Sequence, residues 1–143
     1  KYWYENGQLE YEYSFNDGKL DGIQKRWYES GQLKAEDNYR DGKPDGVQKK
    51  WHENTQLMGE MTYKDGKREG TQNSWYDDGQ LEYEYNWKDD KLEGVQKSWY
   101  ENGQLEYEYS FNDGNQPNGV QKSWYEGGEL RSEKNYIDGV LIE

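Results

Sequence analysis

The stretch Gly22-Ile23-Gln24-Lys25-Arg26-Trp27-Tyr28-Glu29-Ser30-Gly31-Gln32-Leu33-Lys34-Ala35-Glu36-Asp37-Asn38-Tyr39 decides the fold. It holds two strand-like runs, 22–29 and 32–39, on either side of Ser30-Gly31. The same place reads Asn6-Gly7, Asp78-Gly79, Asn102-Gly103 and Gly127-Gly128 elsewhere in the chain. Asn-Gly or Asp-Gly between two strands predicts a two-residue type I′ hairpin, whose central residues both need φ > 0. Asn54-Thr55 breaks the series, and a β-branched Thr there is expected to be strained.

The stretch recurs. Trp3, Trp27, Trp51, Trp75 and Trp99 are 24 residues apart, and Trp124 follows 25 later. The extra residue falls in Asp113-Gly114-Asn115-Gln116-Pro117-Asn118-Gly119, where other units have the form Asp17-Gly18-Lys19-Leu20-Asp21-Gly22. Insertions are tolerated in loops, so six-residue loops are expected to join the hairpins. A fixed period marks a repeat architecture. The chain reads as one array over 1–143, with units at approximately 3–26, 27–50, 51–74, 75–98, 99–123 and 124–143. A mean hydropathy of −1.58 leans towards disorder, but 17% aromatic residues oppose it. A shallow core of aromatic rings is therefore expected.

The proposed turn sets a register. Glu29 faces Gln32, Tyr28 faces Leu33, Trp27 faces Lys34 and Lys25 faces Glu36. The same count pairs Lys49 with Glu60, Lys97 with Glu108, Lys122 with Glu133 and Lys1 with Glu12, while Asn73 faces Glu84. Opposite charges set directly across are what an antiparallel pair favours. Alternation places Tyr28, Arg26, Gln24, Leu33, Ala35, Asp37 and Tyr39 on one face, and Trp27, Lys25, Ile23, Lys34, Glu36 and Asn38 on the other. The fold class is all-β: an elongated antiparallel meander of about six tandem β-hairpins, with eleven or twelve strands spanning about 55 Å.

The unit Asp-Gly-Lys-x-Asp-Gly-x-x-Lys-x-Trp-Tyr-Glu-Asn-Gly-Gln-Leu resembles the MORN repeat family. It is closest to the bacterial variant with Trp-Tyr-x-Asn-Gly-x-Leu at its centre. Residues 89–105 and 17–33 carry the likeness best, and it covers essentially the whole chain. The resemblance implies an elongated hairpin array that acts as a protein-binding or membrane-associated scaffold. Some bacterial members carry an antitoxin label. Fold membership alone does not fix function.

Function is narrowed by what the residues exclude. With 18 basic and 30 acidic side chains the formal charge is −12, which opposes nucleic acid and anionic membrane as partners. His52 is the only histidine and there is no cysteine. No enzymatic activity, catalytic set, cofactor or metal site is therefore expected. His52 stands in the place of Tyr28 and reads as a polar ring in a strand. Paired acids such as Asp17/Asp21, Asp41/Asp45, Asp65/Glu69 and Asp89/Glu93 could hold calcium, but read first as turn residues. The row Glu12, Glu36, Glu60, Glu84, Glu108 and Glu133 reads as an ion-paired face.

Positions that vary between units can carry function. Two of them do so sharply: Tyr11, Ala35, Gly59, Tyr83, Tyr107, Ser132, and Tyr13, Asp37, Met61, Tyr85, Tyr109, Lys134. A saddle over Ala35, Gly59 and Met61 is expected, bordered by tyrosines. The candidate partner-binding residues are Tyr11, Tyr13, Ala35, His52, Gly59, Met61, Tyr83, Tyr85, Tyr107 and Tyr109. A protein partner is the first reading, because tyrosine gives contact area at low entropy cost. Carbohydrate or cell-wall binding on aromatic rings is the alternative, and lipid association ranks behind it. Self-association through the terminal strands is a further expectation, since Tyr136-Ile137-Asp138-Gly139-Val140-Leu141-Ile142 has no polar cap.

Overall fold

The structure, a computed structural model, describes residues 1–112 and 115–142. Among them the strands form one sixteen-stranded sheet, with a two-stranded ribbon of Phe15–Asn16 and Lys19–Leu20 beside it. Five complete hairpins follow one another: Gly22–Trp27 with Leu33–Arg40, Gly46–Trp51 with Leu57–Lys64, Gly70–Trp75 with Leu81–Lys88, Gly94–Trp99 with Leu105–Phe111, and Gly119–Trp124 with Leu130–Ile137. Tyr2–Trp3 and Leu9–Glu12 make the partial first. Second strands also pair with the first strand of the next unit, so the array is an antiparallel meander.

The register holds from Arg26 inward. Lys25 lies opposite Glu36 with Nζ 2.7 Å from Oε1. Lys1–Glu12, Lys49–Glu60, Lys97–Glu108 and Lys122–Glu133 bond at 2.9, 3.0, 3.1 and 3.4 Å. Each lysine from Lys25 onward also faces the glutamate of the preceding unit, so charges alternate along the row. Asn73 interrupts this row. Glu60 and Glu84 both lie opposite it, and its buried Oδ1 has no hydrogen-bond partner among the described residues. Asn73→Lys should therefore raise stability by about 1 kcal/mol. That corresponds to about 2–4 °C in a thermal melt, and the gain should shrink in 1 M salt. An unchanged or lower midpoint would remove the charge row from the stabilising interactions.

The tips differ from expectation. Gly31 N–H donates to Tyr28 O and Tyr28 N–H donates to Gln32 O, both at 2.8 Å. The loop thus has three residues, and only the glycine is left-handed, with φ 87°. This is a type I turn closed by a bulged glycine. The Asn or Asp before the glycine serves another purpose: Asn6, Asn54, Asp78 and Asn102 each accept the amide two residues on at 2.9–3.0 Å. Such local bonds explain their place in turns. Thr55 does sit at φ 72°. Thr55→Gly should stabilise the protein by about 1 kcal/mol by relieving left-handed strain. Thermal unfolding checks this, and no gain would mean that Thr55 contacts offset the strain.

The tip bulge moves two residues between faces. Trp27 opposes Leu33, not Lys34, and the register shifts between Arg26 and Trp27. Lys34 crosses to the other face, its Nζ 5.1 Å from the Tyr28 ring centre. One face therefore carries Trp27 with Leu33, and the opposite, tyrosine face carries Gln24, Arg26, Lys34, Ala35 and Asp37.

The type I′ turns lie between units, where longer loops were expected. Asp41 and Gly42 have φ of 50° and 81°, with Tyr39 opposite Pro44 and Arg40 opposite Lys43. Asp17-Gly18, Asp65-Gly66, Asp89-Asp90 and Asp138-Gly139 have the same handedness. These turns stack from unit to unit: Gly42, Gly66 and Asp90 N–H donate to Leu20, Pro44 and Arg68 O. The following acids join in, with Asp21, Asp45 and Glu69 accepting from Asp41, Asp65 and Asp89 N–H. The paired acids are thus turn-stacking groups. In the insertion, Asp113 and Gly114 lie outside the described residues. Beside them Asn115 N–H donates to Asn112 O and Asn112 N–H to Gln116 O, both at 3.0 Å.

The core is polar where an aromatic one was expected. Gln24, Ser74, Gln96, Ser98 and Gln121 are buried with Ala35 and Met61, whereas most rings are half-exposed. Among the described residues the extensive contacts run between neighbouring strands, and no second layer covers the rings. Buried amides bond instead to backbone: Gln24 accepts from Ser14 N–H at 2.8 Å and donates to Ser14 and Gly22 O. Gln48, Gln96 and Gln121 repeat this on Asn38, Asn86 and Ser110. Rows of Tyr4, Tyr28, Tyr76 and Tyr100 hydroxyls tie units together by donating to the next Trp carbonyl at 2.7–2.9 Å.

Candidate functional site

The tyrosine face alternates between platforms and a depression. Tyr83 stacks on Tyr85 with centroids 4.6 Å apart, and Tyr107 on Tyr109 at 4.8 Å. The two pairs are joined by a hydrogen bond between the Tyr85 and Tyr107 hydroxyls. Burial, with that bond second, pushes the Tyr107 hydroxyl pKa well up. Tyr11 and Tyr13 stack at 5.6 Å, with Tyr2 edge-on to both. Alternate residues of one strand share a face, so two rings two apart fall into ring-to-ring contact.

Where those pairs are missing, the face sinks. Gly59 lies opposite Lys50 and Ser74, and Met61 opposite Gln48. A cleft of about 390 Å³ opens there, walled by Tyr39, Tyr63 and Tyr83. Met58, Lys50 and Arg68 also line it. Gly59, Met61 and Tyr83 of the sequence-derived set thus come together. Ala35 lies at 1% exposure, opposite Arg26 and Lys50, so it is buried beneath its neighbours and is not contact surface. In that unit Asp37 fills the tyrosine place and bonds Arg26 at 2.8 Å. Tyr11 and Tyr13 belong to the first unit, away from the cleft.

His52 is a tie between units. Its Nε2 lies 2.9 Å from Trp75 O, where the neighbouring units use a tyrosine hydroxyl. A carbonyl only accepts, so Nε2 carries the proton. The ring replaces Tyr28 in kind and lines a shallower depression shared with Met58 and Tyr83.

A side-chain relay borders the cleft. Arg68 lies over the Trp87 ring at 3.6 Å and its Nε bonds Asp90 Oδ1 at 3.1 Å. Trp87 Nε1 donates to Gln72 Oε1 at 3.1 Å, and Gln72 Nε2 donates to Tyr83 OH at 3.2 Å. Gln72 is therefore drawn off the backbone position that its counterparts occupy, and among the described residues no side-chain amide bonds Thr62 N–H as Gln48 and Gln96 bond Asn38 and Asn86. The sequence signals were the change from Leu20 or Pro44 to Arg68 and from Tyr39 to Trp87. Met58 was missed because the tip bulge was missed.

The arrangement holds aromatic faces, thioethers, amides and two cations. It suits binding; the Ser74 hydroxyl at its edge lies 2.7 Å from Glu82 Oε2. The model of the MORN repeat variant matches residues 1–17, 20–41, 44–65, 68–89, 92–113 and 117–138. No curated protein matches the chain significantly. Repeats of this kind are generally non-catalytic and support a scaffold or binding role. With six tandem matches spread along its length, the chain belongs to the family of MORN repeat variants.

Proposed function

We propose that the chain is a non-catalytic scaffold that binds a protein partner through its tyrosine face, with the cleft over Gly59 and Met61 as the principal contact. The observation that carries this reading is a coincidence of place. The cleft lies where Lys50, Gly59, Met61, Arg68 and Trp87 together depart from the repeating pattern. Local rules are broken most often where function asks for it. Tyrosine platforms beside an apolar depression are the usual make-up of a protein-contact patch. A sugar site is less well supported. Its rings would have to lie open in a row, whereas Tyr83, Tyr85, Tyr107 and Tyr109 stack on one another and Trp27, Trp51, Trp75, Trp99 and Trp124 are half-buried. The charge of −12 weighs against an anionic membrane.

The test is capture of the partner from the native source by immobilised protein. Wild type and a Glu36→Gln control on the opposite face should retain the same species, and the double variant Gly59→Tyr/Met61→Tyr should lose it. Retention by the double variant at the wild-type level would overturn the assignment.

A further inference from the structure

The cleft keeps a cation whose acid is missing. In the preceding unit Arg26 and Asp37, eleven residues apart, form an ion pair at 2.8 Å on the tyrosine face. The same two places in the next unit hold Lys50 and Met61. The basic residue is retained and its carboxylate is replaced by a thioether. Lys50 is exposed at the cleft and makes no ion pair among the described residues. Its neighbour Lys49 is bound to Glu60 on the other face, so no charge from there compensates it. Asp37 and Glu60 also line the cleft, but their carboxylates are already held by Arg26 and Lys49.

The rest of the cleft adds to this asymmetry. Met58, Gly59 and Met61 give an apolar floor with rings on either side. A Cβ built on Gly59 would meet only Asn73 O, at 3.5 Å, so the space above Gly59 is open. Arg68 also lines the cleft, its guanidinium 3.6 Å from the Trp87 ring centre. An apolar floor with cations at its rim selects a group that is bulky and apolar on one side and anionic on the other.

We infer that the cleft takes a peptide segment of the partner in which a bulky aromatic or aliphatic side chain is followed by an acidic residue. The apolar side chain rests on Met58 and Met61. The acidic side chain supplies Lys50 with the carboxylate that Asp37 supplies to Arg26. The local charge pattern thus runs against the protein's overall acidity, which keeps acidic chains off the remaining surface and makes the cleft selective. This rests on the reading of the cleft as a protein-contact site.

The protein has two methionines, Met58 and Met61, and both line the cleft. Labelling methionine methyls with carbon-13 therefore gives two NMR signals that report on this place. The probe is the tetrapeptide Gly-Phe-Asp-Gly, acetylated and amidated at its ends, titrated to millimolar concentration. Comparison peptides carry Asn in place of Asp, or Ala in place of Phe. The acidic peptide should move both methyl signals saturably and bind about threefold or more tighter than the Asn peptide. The preference should weaken with added salt, and the Ala peptide should not saturate. Lys50→Ser, which installs the residue of Ser74, Ser98 and Ser123, should bring the Asp and Asn peptides to equal affinity. Met61→Asp, which gives Lys50 an internal acid, should do the same with Met58 as reporter.

Equal affinity of the Asp and Asn peptides for wild type would overturn the inference, as would a preference that survives Lys50→Ser. Unmoved methyl signals at millimolar peptide would overturn it as well. None of these results touches partner capture by the Gly59→Tyr/Met61→Tyr pair, which decides the broader reading separately.

Discussion

Replacing Gln96 with leucine should destabilise the protein by about 3 kcal/mol, the largest loss expected from any single side chain on the tyrosine face. Gln96 is 1% exposed. Its Oε1 accepts from Asn86 N–H at 2.6 Å, and its Nε2 donates to Glu93 O at 2.9 Å, Gly94 O at 3.2 Å and Asn86 O at 3.3 Å. Leucine has similar volume but satisfies none of these groups. Each buried backbone group left unpaired costs about 1–3 kcal/mol. Gln72 provides an internal comparison, because its amide bonds the Trp87 and Tyr83 side chains and not the backbone. Gln72→Leu should cost about 1 kcal/mol, since those side chains can turn to solvent. Chemical denaturation measures both. In a repeat array the loss at Gln96 should also appear as faster amide exchange in its own and adjoining units. Equal, small effects of the two substitutions would mean that buried amides do not hold the units together.

Filling the cleft with Gly59→Tyr and Met61→Tyr should reduce partner binding more than about tenfold without harming the fold. The unit would then carry the same pair as Tyr83/Tyr85 and Tyr107/Tyr109, whose rings stack at 4.6 and 4.8 Å. Gly59 has no left-handed φ, so a side chain there is not strained by the backbone. Replacing a strand glycine also removes an entropic cost of about 0.5–1 kcal/mol. Stability should therefore be unchanged or higher, which separates loss of the site from loss of the structure. Thermal unfolding and partner titration on the same sample give both quantities. Undiminished binding at improved stability would make the third unit a tolerant variant of the repeat, and would move the contact to the tyrosine pairs.

Much of this arrangement was legible in the sequence because its determinants are local and repeated. The 24-residue tryptophan spacing and the facing Lys25 and Glu36 fix both the hairpin and its register. The turn types were exchanged for a physical reason. Asn-Gly satisfies a type I′ turn, but Asn6 and Asn54 side chains instead accept the amide two residues on, and each donates to a carbonyl of the next unit. The bonds to the next unit exist only once units are stacked, so a single hairpin does not disclose them. The tip bulge that carries Lys34 and Met58 across the sheet follows from the same turn. The expected aromatic core failed on geometry: one layer of strands cannot enclose rings, and it buries Gln24 and Gln96 against the backbone instead. At the cleft, Gly59 and Met61 were visible as departures in the series. Lys50, Arg68 and Trp87 became meaningful only when the fold set them around that place.

The most direct test of the cleft as contact site uses its two methionines. Protein in which Met58 and Met61 both carry a photoactivatable diazirine should crosslink to the captured partner on illumination, with both attachment points mapped by mass spectrometry. The crosslinks should disappear when Gly59→Tyr occupies the cleft. A partner that co-purifies in full yield but forms no crosslink at either methionine would place the contact elsewhere on the array and contradict the account.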